Sequence, residues 1–256
     1  MYGVKFKNIH SSFFGLVMLS KNRVLLPEIS DEYVDIPGRD GSIYFPGSLK
    51  DRPLEIEFSI STKTLSELRL LCRQVAAWLY SKIPEILVFD DEPDVYYMAK
   101  VQNQLDLEQV MAMGRFVVQF RCEPLAYSIS ELQITSFFFG ALNNAGTYEA
   151  LPVITISAEM DRDTETTGAW RADEATINNP TLTIEDKILD YTGTLTEGQS
   201  LIIDCAKYQV TKAGVNDMAN VSGEFPVLYA GDNDVQLVDT NNSRRHLTIT
   251  YRERWL

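Results

Sequence analysis

The sequence predicts a mainly β chain with one helix. An N-terminal α+β domain, residues 1–127, holds an antiparallel sheet plus that helix, and a C-terminal β-sandwich domain follows at residues 128–256. Three observations predict this. Only one capped amphipathic stripe occurs, at residues 64–80, and apolar–polar alternation of period two precedes and follows it. Beyond residue 127, strand-like runs recur about every ten to fifteen residues between Gly, Asn and Asp clusters, the cadence of a sandwich. Charge divides the same way: residues 1–126 carry 14 basic and 17 acidic side chains, residues 127–256 carry 9 and 19. Such asymmetry marks two units with different surroundings.

In the first half, Thr64 is expected to cap the helix, and Glu67 three residues on completes a capping box for the free backbone N–H groups. Leu65, Leu68, Leu71, Cys72, Val75 and Leu79 recur at three- and four-residue steps, with Trp78 broadening one apolar face that ends before Ile83-Pro84. Residues 54–60 alternate, so one face is buried and the other wet. Residues 86–89 form a short apolar run, residues 90–94 a solvated hairpin turn by composition, and residues 95–101 and 116–122 two further strands. Pro124 lacks a ladder donor and ends the last of these, which places the seam at residues 122–128. In the second half, strands are expected at residues 132–139, 153–157, 182–184, 200–204, 208–211, 235–238 and 247–251. The separators are Asn143-Asn144, Asn178-Asn179-Pro180, Gly231-Asp232-Asn233 and Asn241-Asn242.

A formal net charge of −13 over 256 residues argues against nucleic acid as partner, because a binder must displace counterions from phosphates. It equally disfavours docking on anionic membrane lipid. Cys72, Cys122 and Cys205 are odd in number and contain no CxxC, which speaks for a reducing place of synthesis and against a disulfide framework or zinc site. No apolar run is long enough to span a bilayer. Residues 13–19, after Lys5 and Lys7, look like a signal-peptide core, but no small-x-small cleavage site follows and Val24-Leu25-Leu26 returns to strand character. The sequons at Asn220 and Asn241 therefore carry little weight.

Residues able to carry chemistry are few. His10 and His246 are the only histidines, and neither sits in a nucleophile motif. Cys72 belongs to the helix stripe and Cys122 ends a strand, so both read as small core residues. The run Asp161-Arg162-Asp163 begins like a calcium loop, yet Thr166 and Ala172 stand where the loop needs Gly and Glu. No Walker loop and no GxGxxG is present. The expectation is a protein that is not an enzyme, with no catalytic, metal or cofactor-binding residues and no cofactors. Trp170, Tyr191 and Tyr229 could stack on sugar rings, but such aromatics are more often core or rim residues.

Several segments then fall into a familiar order. After the helix with Trp78-Leu79 come Leu87-Val88-Phe89-Asp90-Asp91-Glu92-Pro93 and Tyr96-Tyr97-Met98-Ala99-Lys100-Val101. Gly114-Arg115-Phe116 and Val118-Gln119-Phe120-Arg121-Cys122-Glu123-Pro124 close that half. Gly198-Gln199-Ser200-Leu201-Ile202-Ile203-Asp204, Gly223-Glu224-Phe225-Pro226-Val227-Leu228 and the ending Ile249-Thr250-Tyr251-Arg252-Glu253-Arg254-Trp255-Leu256 follow. This ordered set resembles the distal tail proteins (Dit) of long-tailed, siphovirus-type bacteriophages and prophages.

The resemblance implies a virion structural protein of the tail tip, made in the host bacterial cytoplasm. It implies a homohexameric ring as baseplate hub, stacked between the tail-tube protein and the tail-tip (tail-associated) protein. N-terminal domains would surround the channel, and a galectin-like sandwich would project from each and anchor a receptor-binding protein in host attachment. An alternative is a carbohydrate-binding module acting through the C-terminal sandwich. A ring joined head to tail needs two different patches per subunit. The first candidate for one patch is the segment 35–52, rich in Gly, Pro and apolar tips, read as an extended hairpin or belt; Arg39, Ile43, Tyr44, Phe45 and Arg52 are its candidate interface residues.

Overall fold

Apolar residues at every second position of two ten-residue strands organise the first of two compact units, residues 1–129 with Leu256; residues 130–255 form the second. The computed structural model describes residues 3–110, 112–136, 140–158, 176–240 and 246–256.

The first unit begins with β1 (Val4–Phe6), β2 (Ile9–His10), β3 (Val17–Arg23), β4 (Glu32–Asp35), β5 (Ser42–Phe45) and β6 (Arg52–Ser61). Helix α1 (Leu65–Leu79), β7 (Glu85–Phe89), β8 (Glu92–Val101), β9 (Glu108–Val110), β10 (Met113–Cys122) and β11 (Ala126–Ser128) complete it. The main sheet runs β2-β1-β7-β8-β10-β6-β3, antiparallel throughout, with β9 added to β10 and β11 to β8. On β6 and β10, Leu54, Ile56 and Phe58 lie opposite Phe120, Val118 and Phe116, and all six are buried. Glu55, Glu57, Val117 and Gln119 take the opposite face of the same strands. The wet-and-buried alternation read from residues 54–60 is thus a property of the whole β6–β10 pair.

Helix α1 has the expected capping box: Glu67 N donates to Thr64 Oγ1 at 3.2 Å, and Thr64 N donates to the Glu67 carboxylate at 3.3 Å. Its buried residues are Leu68, Val75, Trp78 and Leu79. Leu65 is exposed, and Leu71 and Cys72 are only half-buried. The expected stripe is therefore too broad, because the helix is seated mainly through its C-terminal turns. There the Trp78 indole N–H donates to the Phe6 carbonyl at 2.9 Å, and its ring lies against Phe6 and Phe14. Lys7 donates to the Tyr80 carbonyl at 2.8 Å, a cation where the helix dipole favours one.

The acidic stretch after β7 departs from expectation. The hairpin turn is only Asp90-Asp91, and β8 already starts at Glu92, opposite Phe89. Its carboxylates are engaged: Lys21 and Arg23 of β3 pair with Asp91, Arg23 also reaches Glu92 at 2.7 Å, and the Tyr97 hydroxyl donates to Glu92. The Arg23 guanidinium also lies 4.5 Å from the centre of the Phe89 ring. Because β3 and β7 are far apart in strand order, these contacts curl the sheet toward closure. Partial burial would push Asp91 up, but the Lys21 hydrogen bond and the charges of Arg23 and Lys21 outweigh it and hold the carboxyl below its usual range.

The second unit is a β-sandwich. One sheet has the order β12 (Leu132–Ser136), β24 (His246–Tyr251), β14 (Val153–Ser157), β19 (Ser200–Asp204), β20 (Gln209–Lys212), β21 (Val215–Asn216). The other runs β13 (Ala141–Asn144), β23 (Gly231–Val238), β16 (Thr181–Ile184), β17 (Lys187–Tyr191), β22 (Val221–Gly223), and β15 (Ile177–Asn178) pairs with β18 (Thr194–Leu195). Ile154, Ile156, Leu201, Ile203, Leu247 and Ile249 from the first sheet share one buried core with Leu142, Leu182, Ile184, Leu189 and Val235 from the second. Cys122 and Cys205 are buried, which pushes both thiols up to about 12, and no disulfide joins the three cysteines.

Two expected separators are strands. Asn143-Asn144 belongs to β13 and Gly231-Asp232-Asn233 opens β23. Composition misleads here because Asn144 and Asn233 are buried polar anchors. Asn144 donates to the carbonyls of Tyr148 and Leu228, both at 3.1 Å, and Asn233 accepts from Tyr229 N at 2.7 Å. Strand β17 was not expected at all; its two-residue turn, Glu185-Asp186, places Glu185 at φ 52 without the usual Gly or Asn. The expected strand 132–139 is described to Ser136. The calcium-like run 161–172, Trp170 and the Asn241 sequon lie outside the described residues. No helix among the described residues is long and apolar enough to cross a membrane.

Candidate assembly interface

Residues 28–50 leave the main sheet of the first unit as a two-stranded arm. Strands β4 and β5 pair antiparallel, with Tyr33 opposite Tyr44 and Val34 opposite Ile43. Toward the base, Ile29 bridges Leu49, Ser30 N donates to the Ser48 carbonyl at 3.0 Å, and Lys50 N donates to the Glu28 carbonyl at 2.7 Å. The Gly47 amide and the Tyr44 hydroxyl both donate to Asp31 Oδ1, at 2.9 and 3.2 Å. A Cβ on Gly47 would lie 2.0 Å from the Ser30 carbonyl oxygen, so only glycine lets the two chains approach there. At the tip, Arg39 N donates to the Ile36 carbonyl at 3.1 Å across Pro37-Gly38, with Gly38 at φ +84 as a type II turn requires. At strand rise, the arm from Ser30 to that turn is roughly 25 Å long.

The surface of this arm is what an interface needs. Tyr33 is 65% exposed, Tyr44 52% and Phe45 49%, and Val34, Ile36 and Ile29 are exposed beside them. Tyr33, Asp35, Ser42 and Tyr44 share one face; Glu32, Val34, Ile43 and Phe45 share the other. Both faces thus carry apolar side chains with no core beneath them. An isolated two-stranded ribbon is marginal in water, and contiguous exposed apolar surface marks a contact site. The Tyr33–Tyr44 ring pair, 5.3 Å between centres, and the Asp31 bonds hold the ribbon in shape.

The arm is longer on its N-terminal side than the sequence segment 35–52 suggests. Arg39 sits exposed at the tip, Tyr44 and Phe45 are exposed on β5, and Ile43 is half-buried on it. Arg52 is elsewhere. It opens β6 opposite Cys122, is 4% exposed, and its guanidinium lies 5.9 Å from the Tyr97 ring centre. Its Nε and Nη2 have no hydrogen-bond partner. A side chain so enclosed has no surface to offer a neighbour, so the segment ends as an arm at residue 50. The arm's other exposed apolar residues, Ile29, Tyr33, Val34 and Ile36, are not among those candidates. Their signal was present: Tyr33-Val34 and Ile43-Tyr44-Phe45 flank a Pro37-Gly38 to Gly41 turn almost symmetrically.

His10 makes a second polar cluster in the first unit. Its Nε2 lies 3.1 Å from both Asp90 carboxylate oxygens, Nδ1 lies 2.6 Å from Ser12 Oγ, and Gly3 N donates to Asp90 at 2.7 Å. Nδ1 also accepts from the Ser12 amide at 3.2 Å, so the imidazole caps the short turn at Ser11–Phe14. This cluster ties the start of the chain to the β7–β8 hairpin.

Two family models match the chain. Residues 15–122, which include the whole arm, match the phage tail protein RIFT-related domain, and residues 145–255 match the siphovirus-type tail component, C-terminal domain. The chain belongs to the siphophage distal tail (Dit) family. It is a component of the phage tail. Among solved structures it is similar to SPP1 Dit, described as a paradigm of the hub adsorption apparatus of phages infecting Gram-positive bacteria. The TM-score is 0.77 at 15% identity, with 100% of both chains covered. At that identity the likeness speaks for the fold alone. Structures of the phage p2 baseplate in its activated conformation, with Sr or Ca, give TM-scores of 0.45 and 0.43 at 9% identity over 97% of each chain, too remote to argue from. No curated protein sequence matches this Dit chain. Within it, the arm belongs to the tail-protein domain and the sandwich to the C-terminal one.

Proposed function

We propose that this Dit chain is the hub of the tail tip: six copies close into a ring that joins the tail-tube protein to the tail-tip protein. The first unit forms the ring, and the second is the galectin-like outer domain that anchors receptor-binding components. The observation that carries the reading is the β4–β5 arm, a ribbon with apolar side chains on both faces and none of its own core beneath it. A projecting arm that grips a different surface on the next copy is a heterologous contact, which yields a closed ring when the rotation permits. The charge distribution fits this arrangement. The first half, net −3, can crowd around an axis, and the second half, net −10, is better placed at the periphery, where copies lie beyond the screening length of about 8 Å. Nothing in the reading requires a reaction, and the protein acts by assembly alone. Electron microscopy of the purified chain tests it: six-fold rings with an axial hole are expected, and particles of monomer size at every concentration would overturn it.

A further inference from the structure

The geometry points to a cavity on the first unit as the seat for the arm tip of a neighbouring copy, a proposal that rests on the ring reading above. The cavity holds about 310 Å³ and is lined by Glu57, Arg115 and Val117 on the face of β6 and β10 turned away from the core, by Glu108 of β9 and by Asp106 in the loop before it. One wall is pinned in place: Asn103 donates to the Val117 carbonyl at 2.9 Å and accepts from Gln119 N at 2.8 Å. With roughly 30 Å³ per water, the space takes about ten waters, enough for an arginine side chain and a second polar group.

Charge selects the occupant. Three carboxylates face one guanidinium, and Glu108 and Arg115 form no ion pair among the described residues. Among the described residues, Glu57 takes only the Ser20 hydroxyl, at 3.2 Å, and Asp106 only the Gln104 amide, at 3.1 Å. The arm tip presents the complementary set, Arg39 followed by Asp40, both exposed and both without an ion pair among the described residues. Arg39 enters among the three carboxylates, and Asp40 meets Arg115. No arm residue lines the cavity of its own chain, so the tip comes from another copy. Exposed ion pairs add little affinity, and their effect here is to set the register at which each arm stops along the next subunit.

Charge reversal tests this with the full chain. Arg39→Glu and Glu108→Arg should each weaken self-association about tenfold by sedimentation, and the double variant should recover most of the loss. Both positions are on the surface, and unchanged circular dichroism would confirm intact folding. A wild-type ring that neither single variant weakens, or a double variant weaker than both singles, overturns the docking and leaves the ring reading intact. A wild-type chain that stays monomeric at every concentration overturns both.

Discussion

Replacing Val34, Ile43 and Phe45 together by serine should weaken self-association at least a hundredfold while both units stay folded. The three side chains share one face of the arm. Full burial of such a side chain is worth about 1.5–3 kcal/mol. They are already partly covered in the single chain, so the gain on assembly is nearer half of that for each. The sum, roughly 3–4 kcal/mol, corresponds to two to three decades in the association constant. Folding is spared because none of the three belongs to the buried core of the first unit. Sedimentation velocity reads the assembly and a thermal melt reads the fold. Association within threefold of wild type would mean that this face of the ribbon stays open in the particle.

Trp78→Ala should unfold the first unit well below the temperature at which the second melts. Trp78 is buried, lies against Phe6 and Phe14, and supplies the N–H that satisfies the Phe6 carbonyl. Loss of a buried aromatic typically costs about 3–5 kcal/mol, and the carbonyl left unpaired adds about 1 kcal/mol more. For a unit of this size that lowers the midpoint by more than about 10 °C. The sandwich has its own core, so calorimetry should show its transition unmoved. Trp78→Phe, which keeps a ring but no donor, should recover more than half the loss. A single transition shifted as a whole would contradict the independence of the two cores.

How much of this was legible in the sequence depends on whether a residue's role is local. The capping box at Thr64 and Glu67, the alternation in β6, and the strands β14 and β19 follow from spacing alone, because each is decided by neighbours within a few residues. Asn144 and Asn233 were misread because their partners lie up to 84 and 91 residues away, where composition carries no information. The Asp90-Asp91 turn is exposed, as its composition implies, but its ion partners are not legible for the same reason: Lys21 and Arg23 lie 70 and 68 residues away. On the arm, the Gly, Pro and apolar tips of residues 35–52 point to a hairpin, and Arg39, Ile43, Tyr44 and Phe45 fall on it. Arg52 was grouped with them by sequence proximity, and it belongs to β6 because alternation in that strand starts two residues before Leu54. What faces a neighbouring copy leaves no periodic trace, only apolar residues that the chain's own core does not use.

The central claim is that another copy covers the arm. Hydrogen–deuterium exchange of the full chain, assembled at high concentration and then diluted to monomer, measures this directly through the amides of residues 32–35 and 42–45. Exchange slowed at least tenfold in the assembled state, with the sandwich unchanged, is the predicted result. Equal rates in a sample whose mass shows six copies would contradict it, because the ring would then be held by some other surface.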